Sequence, residues 1–177
     1  SQLVRFGGSR EVNDIFITTV PAVHSNGIAG KLLGGELGKM LDASGVTAYA
    51  GPPTGYVVTF SNGLSVYLSG DTGMTAEQKS VVADFYGVGL VVINIGDTFT
   101  TGPKEAAYVV NELIRPTSVI PSHANEQATR DGKVIPGTRT ETFVQAARMP
   151  VYIPLSGKAM SFDANGHCKA GCQLETE

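Results

Sequence analysis

Apolar and polar positions divide this chain into a hairpin-like front and a back in which strands and helices alternate. Residues 14–23 form a β-branched, apolar run with a proline near its end, which predicts a strand that leads into a loop. Residues 56–60 and 64–69 predict two further strands, joined through Asn62 and Gly63. An Asn-Gly step favours a tight hairpin turn, because both residues accept positive φ angles.

Behind the hairpin, helical and extended patterns follow one another along the chain. Residues 90–95 (LVVINI) form an apolar run, which suits a strand covered on both faces. Thr75 and Gln78 have the spacing of a capping box at the start of a helix. The alternation predicts an α/β fold in which helices pack against a sheet. The predicted helices are residues 75–86, 103–114 and 138–148, and the predicted strands are residues 90–95, 118–121, 151–154 and 159–162.

Residues 28–45 carry apolar side chains at roughly helical spacing, but glycines interrupt them at positions 30, 34, 35 and 38. Because glycine is a poor helix former, the pattern favours a mobile excursion over a core helix. Its position directly after His24 suggests a lid or a partner-contact surface. An ordinary surface loop is the alternative.

The composition limits the classes of function. The 177 residues are 42% hydrophobic and 16% charged, which suits one domain with a sizeable core and argues against disorder. The net charge of −3 leaves no basic stripe for a phosphate backbone, so nucleic acid is not an expected partner. The apolar runs are too short to span a bilayer, so no membrane partner is expected either.

Three polar side chains that can bind metals follow predicted strands. His24 and His123 each come directly after a strand, and Asp71 ends another in Gly-Asp-Thr-Gly. Side chains at strand ends of an α/β layer tend to meet at one edge, where imidazole and carboxylate would suit a divalent metal such as zinc. The alternative is that the histidines are hydrogen-bonded loop residues and that Asp71 only forms a turn.

Four motifs carry a family resemblance: HSNG, GYVVTFSNGLSVYLSGDTG, INIGDTFTTGPKEAAYVV and VIPSHAN, which follow one another in this order within residues 12–162. Together they resemble the metallo-β-lactamase superfamily, in its ascorbate-6-phosphate-lactonase-like or metal-dependent hydrolase branch. The resemblance implies a four-layer αβ/βα sandwich, of which this chain would supply roughly the C-terminal two thirds.

The resemblance also assigns roles to particular residues. It places His24 on a first metal, Asp71 as the carboxylate that bridges two metals, and His123 on the second metal. Asp97, Thr98 and Phe99 fall on a family segment that would help to shape the substrate pocket. The alternative for that segment is that Asp97 and Thr101 cap the helix that starts near Pro103.

One departure from the family pattern is that the chain contains no His-x-His-x-Asp-His motif and has only three histidines. We therefore expect a companion chain or an N-terminal fragment to carry that motif. A processed proenzyme with Ser1 as its new N-terminus is favoured over a split gene. An isolated or degenerate fragment that binds no metal is the third alternative.

The implied activity is that of a dinuclear metallo-hydrolase. Two Zn²⁺ ions per site are expected, with Mn²⁺ or Fe²⁺ as alternatives, and a metal-activated water would attack a small-molecule substrate. A lactone or an amide is the expected substrate, because aromatic residues accompany the motifs while no Lys or Arg cluster does. A phosphodiesterase or a non-catalytic binding or scaffolding subunit is the alternative, and a higher homo-oligomer is possible.

The sequence predicts a domain at residues 1–163, followed by a polar C-terminal tail at residues 164–177. Cys168 and Cys172 lie in this tail, and the sequence allows two interpretations of their redox state. A small disulfide loop would indicate a periplasmic or secreted protein, whereas a free thiol pair would fit the cytoplasm.

Overall fold

The computed structural model describes residues 6–172 of the chain. In this range a six-stranded sheet has the order β1-β2-β5-β6-β7-β8, and three two-stranded sheets accompany it. The strands are β1 (Ser9–Val12), β2 (Ile15–Pro21), β3 (Gly27–Ala29), β4 (Thr47–Tyr49), β5 (Thr54–Thr59), β6 (Ser65–Leu68), β7 (Leu90–Asn94), β8 (Ser118–Ser122), β9 (Thr129–Arg130), β10 (Lys133–Val134), β11 (Ser161–Phe162) and β12 (Cys168–Ala170).

The main sheet is antiparallel at its front and parallel at its back. β5 and β6 form the predicted hairpin: Gly63 has a φ of 91°, and Asn62 Oδ1 accepts a hydrogen bond from Leu64 N at 3.1 Å. β6, β7 and β8 run parallel to one another. Their carboxyl ends therefore lie along one edge of the sheet, which is where Asp71 and His123 follow their strands.

Helical segments cover one face of the sheet. Tyr67, Val91 and Val119 project from neighbouring strands into the same buried core as Phe143. Burial of one side chain of this size contributes about 1.5–3 kcal/mol, so this core supplies much of the stabilising free energy. The segments that contribute to this core are α2 (Pro103–Tyr108), α3 (Arg139–Ala146) and π-helical turns at Gln78–Ala83 and Val109–Ile114, whereas α1 (Gly35–Ala43) and a 3₁₀ turn at Gly30–Leu32 contribute no residue to it.

The opposite face of the sheet carries a smaller apolar cluster. Val66 and Leu90 are buried there, with Phe162 packed against them. Tyr56 and Leu68 on the same face are 39% and 37% exposed. A cleft of about 520 Å³ opens on this face and is lined by Leu68 and Phe162, so this face is only partly covered by the described residues.

The glycine-rich segment at residues 28–45 contains a helix, contrary to the prediction from its glycines, whereas its mobility stays a prediction. It contains the 3₁₀ turn and α1, between the paired strands β3 and β4. A Cβ atom at Gly38 would clash with the backbone of Leu33, and one at Gly30 would clash with the backbone of Asp42. These two glycines allow the 3₁₀ turn and α1 to pack closely, which outweighs their low helix propensity.

The other predicted elements hold with local changes. The helix predicted at 75–86 is a π-helical turn, and Gln78 Oε1 accepts from Thr75 N at 3.0 Å as in a capping box. The expected cap by the Thr75 hydroxyl is wrong, because that buried oxygen has no partner among the described residues. The strand predicted at 151–154 is a single bridge between Val151 and Val119.

The C-terminal segment packs on the domain as far as it is described. β12 pairs with β11, and the buried Ser118 hydroxyl donates to Gly166 O at 2.6 Å. Cys168 and Cys172 are joined as a disulfide. Ser1 and the final tail residues, 173–177, lie outside the described residues. In residues 6–172, no helix has the length and apolar character needed to cross a membrane.

Candidate metal site at the strand ends

Asp71 lies in the turn that follows β6. The preceding Gly70 has a φ of 59°, in the region that favours glycine, and a Cβ atom there would meet Thr54 O at 2.9 Å. The turn therefore passes close to β5 only because this residue is glycine. The Asp71 side chain stays 47% exposed at the carboxyl edge of the sheet.

His123 follows β8 and faces Asp71. Its Nε2 lies 3.7 Å from Asp71 Oδ2, and its side chain is 41% exposed. His123 has a φ of 48°, a left-handed conformation that costs energy in a residue other than glycine. Such strained residues concentrate at functional sites, where the surrounding structure holds them.

Gly96 makes room for His123. A Cβ atom at this position would clash with His123 O and would lie 3.0 Å from Cδ2 of the imidazole ring. It would also lie 2.7 Å from Asn125 Nδ2, whose amide group donates to Gly96 O at 3.4 Å. The absent side chain therefore lets the His123 loop close against the end of β7.

His24 reaches the same edge from the front of the sheet. His24 and Asp71 line one cleft of about 260 Å³, together with residues 50–54. His24 is half-buried, and its Nδ1 lies 3.0 Å from Ser25 O, which fixes the ring locally. The structure thus places Asp71 next to His123 and in one cleft with His24.

These donor atoms fit part of a metal site. Two imidazoles and one carboxylate are ligands that zinc accepts. Across residues 6–172, however, no three side chains of His, Cys, Asp or Glu lie close enough together to hold a metal ion. The assignment of His24, Asp71 and His123 as ligands therefore stays a prediction that needs further donors.

The third histidine lies elsewhere. His167 belongs to the turn between β11 and β12, where its Nδ1 is 3.5 Å from Asp163 Oδ1. Asp163 also accepts hydrogen bonds from the backbone N–H groups of His167 and Asn165, and these bonds lower the pKa of its carboxyl group. His167 therefore has a local partner in Asp163.

Asp97, Thr98 and Phe99 form the loop after β7. Asp97 and Thr98 have φ angles of 65° and 61°, and Phe99 is 76% exposed. Thr101 N donates to Thr72 O at 3.0 Å, which holds this loop against the Asp71 turn. A role in the substrate pocket stays a prediction.

The capping alternative for this loop is wrong. The N-cap of α2 is Gly102, and no side chain caps the helix. Asp97 Oδ1 instead accepts from Thr98 N at 2.9 Å, and the Thr101 hydroxyl donates to Asn94 O at 2.9 Å. Both side chains bond within the strand end and its loop.

Sequence reasoning missed Asn94, which is fully buried at the end of β7. The available signal was one amide side chain inside the apolar run at residues 90–95. A polar residue in such a run is expected to be hydrogen-bonded, because an unpaired buried amide is costly.

Comparison with known proteins places the chain in a family. Residues 1–123 match the beta-lactamase superfamily domain. A UPF0173 metal-dependent hydrolase from Cupriavidus necator is 34% identical over 167 residues, covering 92% of this chain and 54% of that protein. Another from Methanosarcina barkeri is 39% identical over 117 residues, covering 66% of this chain and 44% of that protein. The chain spans about half the length of these curated relatives.

Solved structures share the fold. Igni18, a metallo hydrolase from Ignicoccus hospitalis, superposes with a TM-score of 0.56 at 22% identity, over 85% of this chain and 57% of that one. An isothiocyanate hydrolase from Delia radicum gut bacteria gives a TM-score of 0.54 at 16% identity, over 97% of this chain and 60% of that one. These similarities confirm the predicted α/β fold class.

Proposed function

The chain belongs to the metallo-β-lactamase superfamily, and from that premise we propose that it is part of a metal-dependent hydrolase. Its own contribution to the metal site is His24, Asp71 and His123. The observation that carries the proposal is the approach of His123 Nε2 to within 3.7 Å of Asp71 Oδ2, beside the cleft that His24 lines.

Each of the three side chains has a definite task in this proposal. His24 and His123 each offer a ring nitrogen, and Asp71 offers two oxygens that can contact two cations at once. Two Zn²⁺ ions, or Mn²⁺ or Fe²⁺ in their place, would supply a Lewis acid and lower the pKa of a bound water. The negative charge of Asp71 favours cations at this edge.

The remaining ligands are proposed to come from a companion chain or an N-terminal fragment with a His-x-His-x-Asp-His motif. The partly covered sheet face supports this proposal, because Leu68 lines an open apolar cleft there and Tyr56 on the same face is 39% exposed. Exposed apolar patches of this kind often mark protein contacts. The greater length of the relatives is consistent with a further segment.

The proposed substrate is a lactone or an amide. Phe99 is 76% exposed near the strand ends, and Tyr49 is 70% exposed at the end of β4. No Lys or Arg lines the cleft that His24 and Asp71 share. A phosphodiester would call for such cations, so a phosphodiesterase is the less favoured candidate.

An oxidising compartment, periplasmic or secreted, is proposed for the protein. The support is the disulfide between Cys168 and Cys172, since such bonds persist mainly outside the cytoplasm. Thiol labelling of freshly lysed cells checks this point: labelling of both cysteines in the native protein would indicate the cytoplasm.

The test of the function uses material purified from its natural source. Intact mass is expected to show a second polypeptide or a longer chain, and metal analysis is expected to give two ions per assembly. Hydrolysis is then compared for a lactone, an amide and a phosphodiester. Full activity of the pure 177-residue monomer would contradict the companion chain, and a metal-free, inactive assembly would favour a scaffolding subunit.

A further inference from the structure

Asn94 is the centre of a buried hydrogen-bond network directly beneath the strand ends. Its Nδ2 donates to Thr72 O at 2.9 Å and to Thr101 Oγ1 at 2.7 Å. Its Oδ1 accepts from the Ser69 hydroxyl at 3.0 Å. Both amide donors and one acceptor position are therefore used, and the side chain has a single orientation that satisfies them.

The partners of Asn94 flank Asp71. Ser69 directly follows β6 and lies two residues before Asp71. Its hydroxyl also lies 2.7 Å from Gly70 O. Thr72 directly follows Asp71, and its carbonyl oxygen accepts from Asn94 Nδ2 and from Thr101 N. The turn that carries Asp71 is thus held on both sides.

The same network extends to His24. Val23 N donates to Thr72 Oγ1 at 3.0 Å, and Gly73 N donates to Val23 O at 2.8 Å. Val23 immediately precedes His24, so the backbone before that side chain is tied to the Asp71 turn. Asn94 and Val23 therefore both bond to Thr72, which links the backbone before His24 to the Asp71 turn.

The His123 loop is linked to the residue after Asn94 by a main-chain bond between β7 and β8, outside the side-chain network. Ile95, the residue after Asn94, donates its N–H to Ser122 O at 3.0 Å. Ser122 directly precedes His123. The neighbour of Asp71, Thr72, is bonded to Asn94 itself, and the residue before His24 is bonded to Thr72. The residue before His123 is bonded to Ile95.

We infer that Asn94 is a positioning residue for the metal site, holding the Asp71 turn and the backbone before His24 in register at the strand end that faces the His123 loop, without contacting the metal. This inference rests on the proposed function. Residues that orient metal ligands typically change metal affinity or activity by 10–100-fold when they are replaced.

The decisive variant is Asn94→Asp, which keeps the shape of the side chain but removes both N–H donors. The new carboxylate oxygen would face Thr72 O, so the contact that holds the Asp71 turn becomes repulsive. Asn111→Asp is the matched control. Asn111 Nδ2 donates to Ala146 O at 2.9 Å, and its Oδ1 accepts from Arg148 N at 2.9 Å, away from the strand ends.

Zn²⁺ is titrated into the full chain while the ring signals of its three histidines are followed by NMR. His24 and His123 are expected to shift in the wild-type protein, and His167 serves as the internal reference. We expect Asn94→Asp to weaken the Zn²⁺ response by about tenfold or more, and Asn111→Asp to leave it unchanged. Equal Zn²⁺ affinity in all three proteins would overturn the inference.

Hydrogen exchange without metal separates this inference from the proposed function. The amides of Val23 and Thr101 both donate to Thr72, and they are expected to lose protection in Asn94→Asp but not in Asn111→Asp. Wild-type protection in Asn94→Asp would overturn the positioning role. Loss of protection with no Zn²⁺ response in any protein would support positioning and contradict the metal site. Thr101→Val, which removes one partner of Asn94, repeats the test if Asn94→Asp does not fold.

Discussion

Asp71 Oδ2 and His123 Nε2 lie 3.7 Å apart, although the two residues come from loops after different strands of the sheet. This separation exceeds a hydrogen bond, so the two side chains are neighbours without being bonded to each other. Both are more than 40% exposed. Their lone pairs therefore remain accessible to a cation that enters from the solvent side.

The first prediction concerns Asp71→Asn, which keeps the shape and removes the charge. We expect the loss of one metal ion, because two cations would repel each other without the shared carboxylate. Turnover of the active assembly should fall by at least about a hundredfold. Metal content, turnover and melting temperature are measured on one preparation.

The control for that prediction is Asp84→Asn. Asp84 has a similar exposure, 52%, but pairs with Lys79 at the surface. Such a surface pair contributes only about 0–1 kcal/mol to the free energy of unfolding. Because Asp84 is not one of the proposed ligands, metal content and turnover should stay near wild type. If Asp71→Asn retains both metals and normal turnover, Asp71 is only a turn residue.

The second prediction concerns Gly96→Ala. The new Cβ would press on the backbone of His123 and on its imidazole ring, so the His123 loop must move. We expect a loss of about 1–3 kcal/mol in the free energy of unfolding, together with weaker Zn²⁺ binding. Urea unfolding and Zn²⁺ titration measure the two effects.

Gly34→Ala is the matched substitution, because a Cβ at Gly34 meets nothing within 4 Å and its φ of −72° is ordinary. It should leave Zn²⁺ binding unchanged. Unaltered Zn²⁺ binding in Gly96→Ala would show that the position of His123 does not depend on this close approach.

The sheet was predictable because its signals are local. The Asn62-Gly63 step and the apolar run at residues 90–95 each specify an element from a few adjacent residues. The parallel order of β6, β7 and β8 also follows from the alternation of strands and helices. Hence the approach of Asp71 to His123 could be anticipated from their places after strands.

Contacts between distant residues were not predictable. Asn94 bonds Ser69 and Thr72, and nothing in the run at residues 90–95 indicates those partners. Gly30 and Gly38 lower helix propensity locally, yet the close packing they allow stabilises the segment that contains α1. In both cases tertiary contacts decide the outcome.

The third prediction concerns the alkaline stability of the fold. Burial raises the pKa of the Tyr67 phenol above its ordinary value near 10. Above about pH 10 the unfolded chain therefore releases this proton more readily than the folded chain, and the free energy of unfolding falls as pH rises. The slope for one group is at most about 1.4 kcal/mol per pH unit.

Tyr67→Phe should reduce this alkaline loss, whereas Tyr108→Phe, at a side chain that is 50% exposed, should preserve it. Urea unfolding at pH 8 and at about pH 11 measures the difference, since the second value lies above the ordinary tyrosine pKa. An identical pH dependence in wild type and Tyr67→Phe would contradict the assignment of the loss to this residue.

The last prediction concerns Phe99, which extends into solvent from the loop held against the Asp71 turn. If it forms a wall of the substrate pocket, Phe99→Ala should raise KM for a lactone or amide about five- to tenfold with little change in kcat, because the lost contact is apolar and remote from the reacting bond. The melting temperature should stay the same, since an exposed side chain contributes little to folding. Phe85→Ala is the control, because Phe85 is 75% exposed and lies just before β7 begins, away from the carboxyl edge. Equal KM values for Phe99→Ala, Phe85→Ala and wild type would remove this loop from the pocket.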